Sequence, residues 1–179
     1  MLLGVEKLHA LVKDVKLVEN LCERELKNPE GAGFDLRIGE VFELKGDAFL
    51  GIEKRETPKI KTLASFDSKK EKSFVFLPGQ YYLIKTIEKV NTPEGIEILF
   101  RPRTTMFRSG MMLITGAVPP GYCGELNFGI VNLGKSKVTI EMGARVVHAM
   151  FYQIDGATNL YRGQWQGGRT ATKGVEKQI

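Results

Sequence analysis

Two short blocks near the middle of the chain carry most of its chemical potential. The first, Arg103-Thr104-Thr105-Met106-Phe107-Arg108-Ser109-Gly110, sets two guanidiniums and two threonine hydroxyls within a few residues. Fixed donors and positive charge are what a triphosphate requires. The second, Pro119-Pro120-Gly121-Tyr122-Cys123-Gly124, follows after eight residues and reads as a tight turn ending in an aromatic. Such a turn suits a hairpin that grips a base and a sugar.

Each residue also has a plainer reading. Arg103 can bind phosphate or close an ion pair inside the fold, and Arg108 is the stronger ligand contact. Their five-residue spacing does not place them on one helical face. Thr104 and Thr105 can donate to phosphate oxygens, and Thr104 can equally cap a short helix. His148 sits in an apolar strand pattern, as a satisfied core histidine would. No HxE or PCxxC occurs, which excludes the zinc-deaminase mechanism.

The elements that must position these blocks are mostly strands. Val5, Leu8, Leu11 and Val12 share one helical face over 4–14, so a short amphipathic helix opens the chain. Residues 29–33 form a Pro/Gly loop. Alternation over 34–39 and 41–44 predicts strand up to the Gly46-Asp47 turn. Further strands are predicted at 74–77, 81–87, 96–100, 111–114, 126–131, 137–141 and 146–152, with one or two helical turns at 104–109. Residues 53–72 show no such pattern and read as a long loop. Short strands separated by Gly and Pro predict an all-β barrel or sandwich. Residues 1–155 are expected to form that domain and 156–179 a flexible C-terminal arm. The arm holds the sole tryptophan, Trp165, in Tyr161-Arg162-Gly163-Gln164-Trp165-Gln166-Gly167. An aromatic there suits an arm that closes over a ligand.

Composition sets outer bounds. A length of 179 residues fits one domain, and 42% hydrophobic content is ordinary for a globular protein. No apolar run approaches the ~20 residues of a membrane span. The N-terminus soon meets Glu6 and Lys7, unlike a signal peptide, so a cytoplasmic protein is expected. Cys22 and Cys123 have no metal-ligand spacing; they point to a reducing interior, with a disulfide between them still open. The net charge of +5 fits an anionic ligand without demanding one. Basic residues crowd into 54–72, interrupted by Glu56, Asp67 and Glu71. Without interleaved aromatics they read as a solvated face rather than a nucleic-acid patch.

Four blocks agree in order and spacing with one family. Ala32-Gly33-Phe34-Asp35-Leu36-Arg37-Ile38-Gly39 resembles its AGYDLRxG strand. The 103–110 block resembles RSSxxRxG with threonines for serines. Val118-Pro119-Pro120-Gly121-Tyr122-Cys123-Gly124 resembles VDPGWxG, and the Trp165 segment resembles YxGxYQG. The family is the dUTPase/dCTP deaminase superfamily, and archaeal-type dUTPases are most similar through the arm. The blocks span residues 32–167, and together they are a specific signal.

The resemblance implies a dUTPase-like distorted β-barrel or jelly roll with a short N-terminal helix, assembled as a homotrimer. Sites would lie between subunits, with one subunit's arm closing over another's pocket. The ligand would be a deoxynucleoside triphosphate, with Mg²⁺ on its phosphates and no metal site in the protein. Arg103, Thr104, Thr105, Arg108 and Gln166 would meet phosphate. The backbone of Gly116, Ala117 and Val118 would read the base, Tyr122 would pack under the deoxyribose and Trp165 would stack over the base. Asp35 would support the site by orienting Arg108, meeting the metal's water shell, or pairing with an arginine.

The implied reaction is dUTP plus water to dUMP and diphosphate, with an aspartate activating the water. That aspartate is replaced by Pro119. The strand glutamate of the related zinc-independent dCTP deaminases falls at Gly129. Glu125 is the nearest carboxylate, and alternation turns it away from the face of Leu126. The catalytic group is therefore unassigned. Three functions stand open: a dUTPase-type hydrolase, a catalytically impaired dNTP-binding relative (sensor, sequestering protein or scaffold), and a dCTP deaminase.

Overall fold

A computed structural model describes residues 1–178. The chain begins with α1 (Val5–Val15), β1 (Val18–Glu19) and α2 (Glu23–Lys27). Strands β2 (Phe34–Lys45), β3 (Phe49–Leu50), β4 (Lys54–Glu56), β5 (Lys59–Ser65), β6 (Ser73–Phe76), β7 (Tyr81–Asn91) and β8 (Ile96–Pro102) follow. After the one-turn α3 (Thr104–Arg108) come β9 (Met111–Ile114), β10 (Cys123–Asn132), β11 (Val138–Glu141), β12 (Arg145–Gln153) and β13 (Glu176–Lys177).

The main sheet runs β8-β12-β2-β7-β10-β9, with β5 beside β2 and β1 beside β7. Every pairing is antiparallel. The sheet curls until Ile98 of β8 exchanges both backbone hydrogen bonds with Val118, ahead of β10, at 3.0 and 2.9 Å. This nearly closes a barrel, as the all-β pattern and the family resemblance imply. The pleat explains the core: alternate residues of β7 face inward, and Phe34, Leu36, Ile38, Ile98, Ile130 and Phe151 are fully enclosed. Leu8 of α1 is wholly buried, so the helix lays its predicted stripe on the barrel.

One sequence expectation needs correction. Residues 53–72 are not one long loop, because β4 and β5 lie within them. β5 pairs with β2 from Glu40↔Ser65 to Lys45↔Lys59, half-burying Ile60 and Leu63 while Lys59 and Lys61 stay exposed. The charges masked the alternation. Lysines on a strand with an unpaired side also discourage edge-to-edge pairing. As expected, 34–39 and 41–44 continue as one strand, whose register shifts between Ile38 and Glu40. Both cysteines are free. Among the described residues no helix is long and apolar enough to cross a membrane.

Candidate functional site

A cavity of about 410 Å³ opens where β8, the 116–119 segment and β10 meet. Gly116, Ala117, Val118 and Pro119 line it, as does the Tyr122 ring. Leu83, Phe100 and Phe128 make its apolar side, with Phe100 and Phe128 edge-to-face at 4.9 Å. Tyr122 is both a wall of the cavity and a core residue. It is buried, its hydroxyl donates to the Glu125 carbonyl at 2.7 Å, and burial pushes its pKa up to about 12.

The arm completes the cavity. Tyr161 and Trp165 line it from the other side, and Tyr161 meets Tyr122 edge-on at 5.4 Å. The arm runs against the turn of its own chain. Tyr161 N donates to the Pro120 carbonyl at 2.7 Å, and Gly167 N to that of Cys123 at 2.7 Å. Gln166 spends both ends of its amide on the turn: Cys123 N donates to Oε1 at 3.0 Å, and Nε2 donates to the Gly121 carbonyl at 2.9 Å. The approach requires glycine on both sides. A Cβ on Gly124 (φ +147°) would meet Gly168 N at 2.2 Å, and one on Gly168 (φ +74°) would meet the Glu125 carboxylate at 2.2 Å. Beyond, β13 pairs with β4. Trp165 lies between the Arg55 and Arg169 guanidiniums, 5.8 and 5.9 Å from its ring. The sequence therefore supplied Trp165 with partners that local pattern could not reveal.

The phosphate-like block lies elsewhere. It follows β8, three residues beyond Phe100 of the cavity wall, roughly 10 Å along an extended strand. There Arg103, Thr104 and Thr105 border a cleft with Arg101, Asp35 and His148. Thr104 is the first residue of α3 and not its cap; Arg103 holds that position, with no side-chain cap. Both threonines and Arg108 are exposed, and none makes a side-chain hydrogen bond to another described residue. Arg103 takes its ion-pair reading: Nε lies 2.9 Å from Asp35 Oδ2. Asp35 also receives Arg145 Nη1 at 3.1 Å and contacts His148 Nδ1 at 2.9 Å. Burial works to raise the Asp35 pKa, but the His148 bond and the two arginines outweigh it and hold it below its usual value. The Asp35 bond in turn raises that of His148. Thus the sequence-selected residues gather in two places: Gly116, Ala117, Val118, Tyr122 and Trp165 at the cavity, and Arg103, Thr104, Thr105 and Asp35 at the cleft.

Over residues 2–154 the chain matches the family described as dCTP deaminase-like. The chain belongs to the dCTP deaminase-like family. It is 30% identical over 166 residues to a probable deoxyuridine 5'-triphosphate nucleotidohydrolase of Methanothermobacter thermautotrophicus, covering 93% of this chain and 99% of that relative. It is also 30% identical over 152 residues to a dCTP deaminase of Pyrococcus furiosus, covering 84% of this chain and 85% of that one. In fold it is similar to the 2'-deoxycytidine 5'-triphosphate deaminase of Agrobacterium tumefaciens, with TM-score 0.63 and 16% identity over 84% of this chain. This chain spans 47% of that structure's length.

Within this dCTP deaminase-like chain, neither position at which the resemblance implies a catalytic carboxylate holds one. Pro119 lines the cavity but carries no acid. At Gly129 of β10 a Cβ would lie 2.5 Å from the Tyr81 hydroxyl oxygen, so a side chain there would have to move that ring. Glu125 packs against Gly168 and does not line the cavity. No aspartate or glutamate is among the cavity's described lining residues. Sequence reasoning missed Thr57, Asn127, Arg169 and Thr170, which all line it. Arg169 and Thr170 stand just beyond the Trp165 motif and could have been flagged by proximity. Thr57 and Asn127 gave no local signal.

Proposed function

We propose that this protein is a dUTPase-type enzyme of deoxynucleotide metabolism, binding a pyrimidine deoxynucleoside triphosphate and hydrolysing it to the monophosphate and diphosphate. The observation that carries the reading is the cavity between the 116–122 hairpin and the arm, walled by the rings of Tyr122, Tyr161 and Trp165. An apolar, aromatic-walled cleft with few polar groups is how proteins hold a base and sugar. The Thr104, Thr105 and Arg108 side chains, free and outward-facing at the far end of β8, would take the triphosphate.

Because cavity and phosphate block lie apart in one subunit, each site would join the cavity of one copy to the 103–110 block of a neighbour. Exposed apolar residues support such an assembly. Phe107, Met112 and Leu133 border one shallow cleft, and Leu99 and Ile114 are exposed as well. A homotrimer would bury them. The arm would act as the lid, and a reducing, cytoplasmic setting suits the free cysteines.

Magnesium would enter as part of the substrate. Among the described residues no group of three His, Cys, Asp or Glu side chains could hold a metal, and Asp35 is already engaged by three cationic or ionisable partners. A magnesium–triphosphate complex needs no such cage, since this ion keeps most of its waters and binds through phosphates. The chain's own work would be to orient the base in the cavity, neutralise the phosphates with Arg108, and shield the reacting centre with the arm. Neither Pro119 nor Gly129 has a side chain that can act as general base, and the Tyr81 ring over Gly129 weighs against deamination. The water would lose its proton to a group from the neighbour's phosphate side.

A second reading is binding without turnover. The specific observation favouring it is that no carboxylate lines the cavity. Loss of a general base costs roughly two to four orders of magnitude. One experiment separates the readings: incubate the protein with Mg²⁺ and each dNTP and NTP, and score diphosphate release and thermal stabilisation together. Diphosphate from dUTP and not UTP supports the hydrolase. Stabilisation without product supports the binder. Neither effect with any nucleotide overturns both.

A further inference from the structure

Two polar atoms at the cavity are buried without a hydrogen-bond partner among the described residues: Asn127 Oδ1 and Thr170 Oγ1. Leaving such groups unpaired costs about 1–3 kcal/mol each, so native proteins rarely do so without a reason. Both residues line the same largely apolar cavity, and they arrive there from different elements.

The fold takes trouble to place Asn127. In a regular strand, Leu126, Asn127 and Phe128 could not all face one side. All three line the cavity, at the place where β7 runs two residues longer than β10 between Glu125 and Asn127. The mismatch is patched by a side chain: Thr86 Oγ1 accepts from Leu126 N at 3.0 Å and donates to the Glu88 carbonyl at 2.7 Å. Irregularities of this kind re-aim side chains beside binding sites. The Asn127 amide is also oriented. Nδ2 faces the Gly168 and Arg169 carbonyls, each at 3.4 Å, which leaves Oδ1 as the free end. It can only accept.

Resting on the nucleotide reading above, we propose that Asn127 and Thr170 are its base-selecting pair. Asn127 Oδ1 accepts a hydrogen bond from an N–H on the hydrogen-bonding edge of a pyrimidine. The Thr170 hydroxyl, free to donate, meets the neighbouring acceptor of that edge. Uracil supplies the N–H from its ring, and cytosine from its exocyclic amine. Thr170 belongs to the arm, and Asn127 holds the arm through Gly168 and Arg169. Base recognition and arm closure are therefore one event: a base that cannot satisfy Asn127 leaves a buried acceptor unpaired beneath a closed arm.

The test is binding of dUTP, dCTP, 3-methyl-dUTP and inorganic triphosphate, with Mg²⁺, to wild type, Asn127→Leu and Thr170→Val. 3-Methyl-dUTP lacks the ring N–H. Each variant is expected to lose about tenfold in affinity for the preferred nucleotide and nothing for inorganic triphosphate. Wild type should bind 3-methyl-dUTP about tenfold more weakly than dUTP if uracil is preferred, and that penalty should vanish in Asn127→Leu. If dCTP is the ligand instead, the loss in Asn127→Leu should appear with dCTP. Thr170→Val is a near-isosteric change on the arm, so it reads the hydroxyl even if Asn127→Leu folds poorly. Unchanged affinity and preference in both variants would overturn the proposal while leaving the nucleotide reading intact. Absence of any nucleotide binding by wild type would overturn both.

Discussion

The Tyr81 phenol occupies the space above Gly129: a Cβ on that glycine would lie 2.5 Å from its hydroxyl oxygen. The two residues sit on neighbouring strands, β7 and β10, where Gly129 faces Leu83 and Val131 faces Tyr81. A glutamate at 129 would have to displace the ring. Gly129→Glu is therefore expected to destabilise the protein by about 1–3 kcal/mol and to release no ammonia from dCTP. Adding Tyr81→Ala should recover part of that stability. Chemical denaturation of the single and double variants checks this. Equal stability of Gly129→Glu and wild type would show that the ring yields freely.

Asp35 holds together residues from separate elements, pairing with Arg103, Arg145 and His148. Its side chain is 7% exposed, against 29% for Arg103 and 24% for Arg145. Removing Asp35 leaves Arg103 and His148 unmatched, while Arg145 keeps its pair with Glu25, at about 3 kcal/mol. Asp35→Ala should lower stability by roughly that amount, and an Arg103→Ala change on top should cost much less than it does alone. Strict additivity of the two would mean that the ion pair carries no energy.

The same cluster sets a pH dependence. The His148 pKa is raised above its ordinary 6.5, so its stabilisation is complete below that pH and is lost as pH rises through the raised value. The Asp35 pKa is lowered below 3.8, so its contribution is complete above 3.8 and is lost as pH falls through the lowered value. Stability from the pair should therefore plateau between these limits and decline on the alkaline side. His148→Gln should remove that decline. Denaturation midpoints between pH 6 and 9 for both proteins measure it, and parallel curves would contradict the assignment.

How much of this was legible in the sequence follows from how local each signal is. The strands around the core showed through their alternation, as β9 did within its predicted 111–114 limits. β5 did not, because lysines at 59 and 61 looked like loop charge until β2 was seen beside them. The cavity's hairpin, Tyr122 and Trp165 were legible because they sit in contiguous motifs. Asn127 was not: the residues that share the cavity with it, from Thr57 to Thr170, come from distant parts of the chain. Nor did the sequence reveal that Gln166 would spend its amide on the turn backbone; it offered Arg103 an ion pair and Asp35 an arginine without joining the two.

Pro119 lines the cavity at the position where the family resemblance implies an aspartate. If that lost acid limits the chemistry, Pro119→Asp should raise dUTP hydrolysis by roughly two to four orders of magnitude while changing affinity little. Single-turnover rates with Mg²⁺ would show it. A rate no higher than wild type would place the water-activating group elsewhere.

The central claim is that the aromatic-walled cavity and the exposed 103–110 block together hold a pyrimidine deoxynucleoside triphosphate. It is tested most directly by titrating dUTP with Mg²⁺ into wild type and Arg108→Ala by calorimetry. The account predicts saturable binding by wild type, at least tenfold weaker binding by Arg108→Ala, and no comparable loss for deoxyuridine, which lacks the phosphates. Equal affinity of both proteins for dUTP would contradict it.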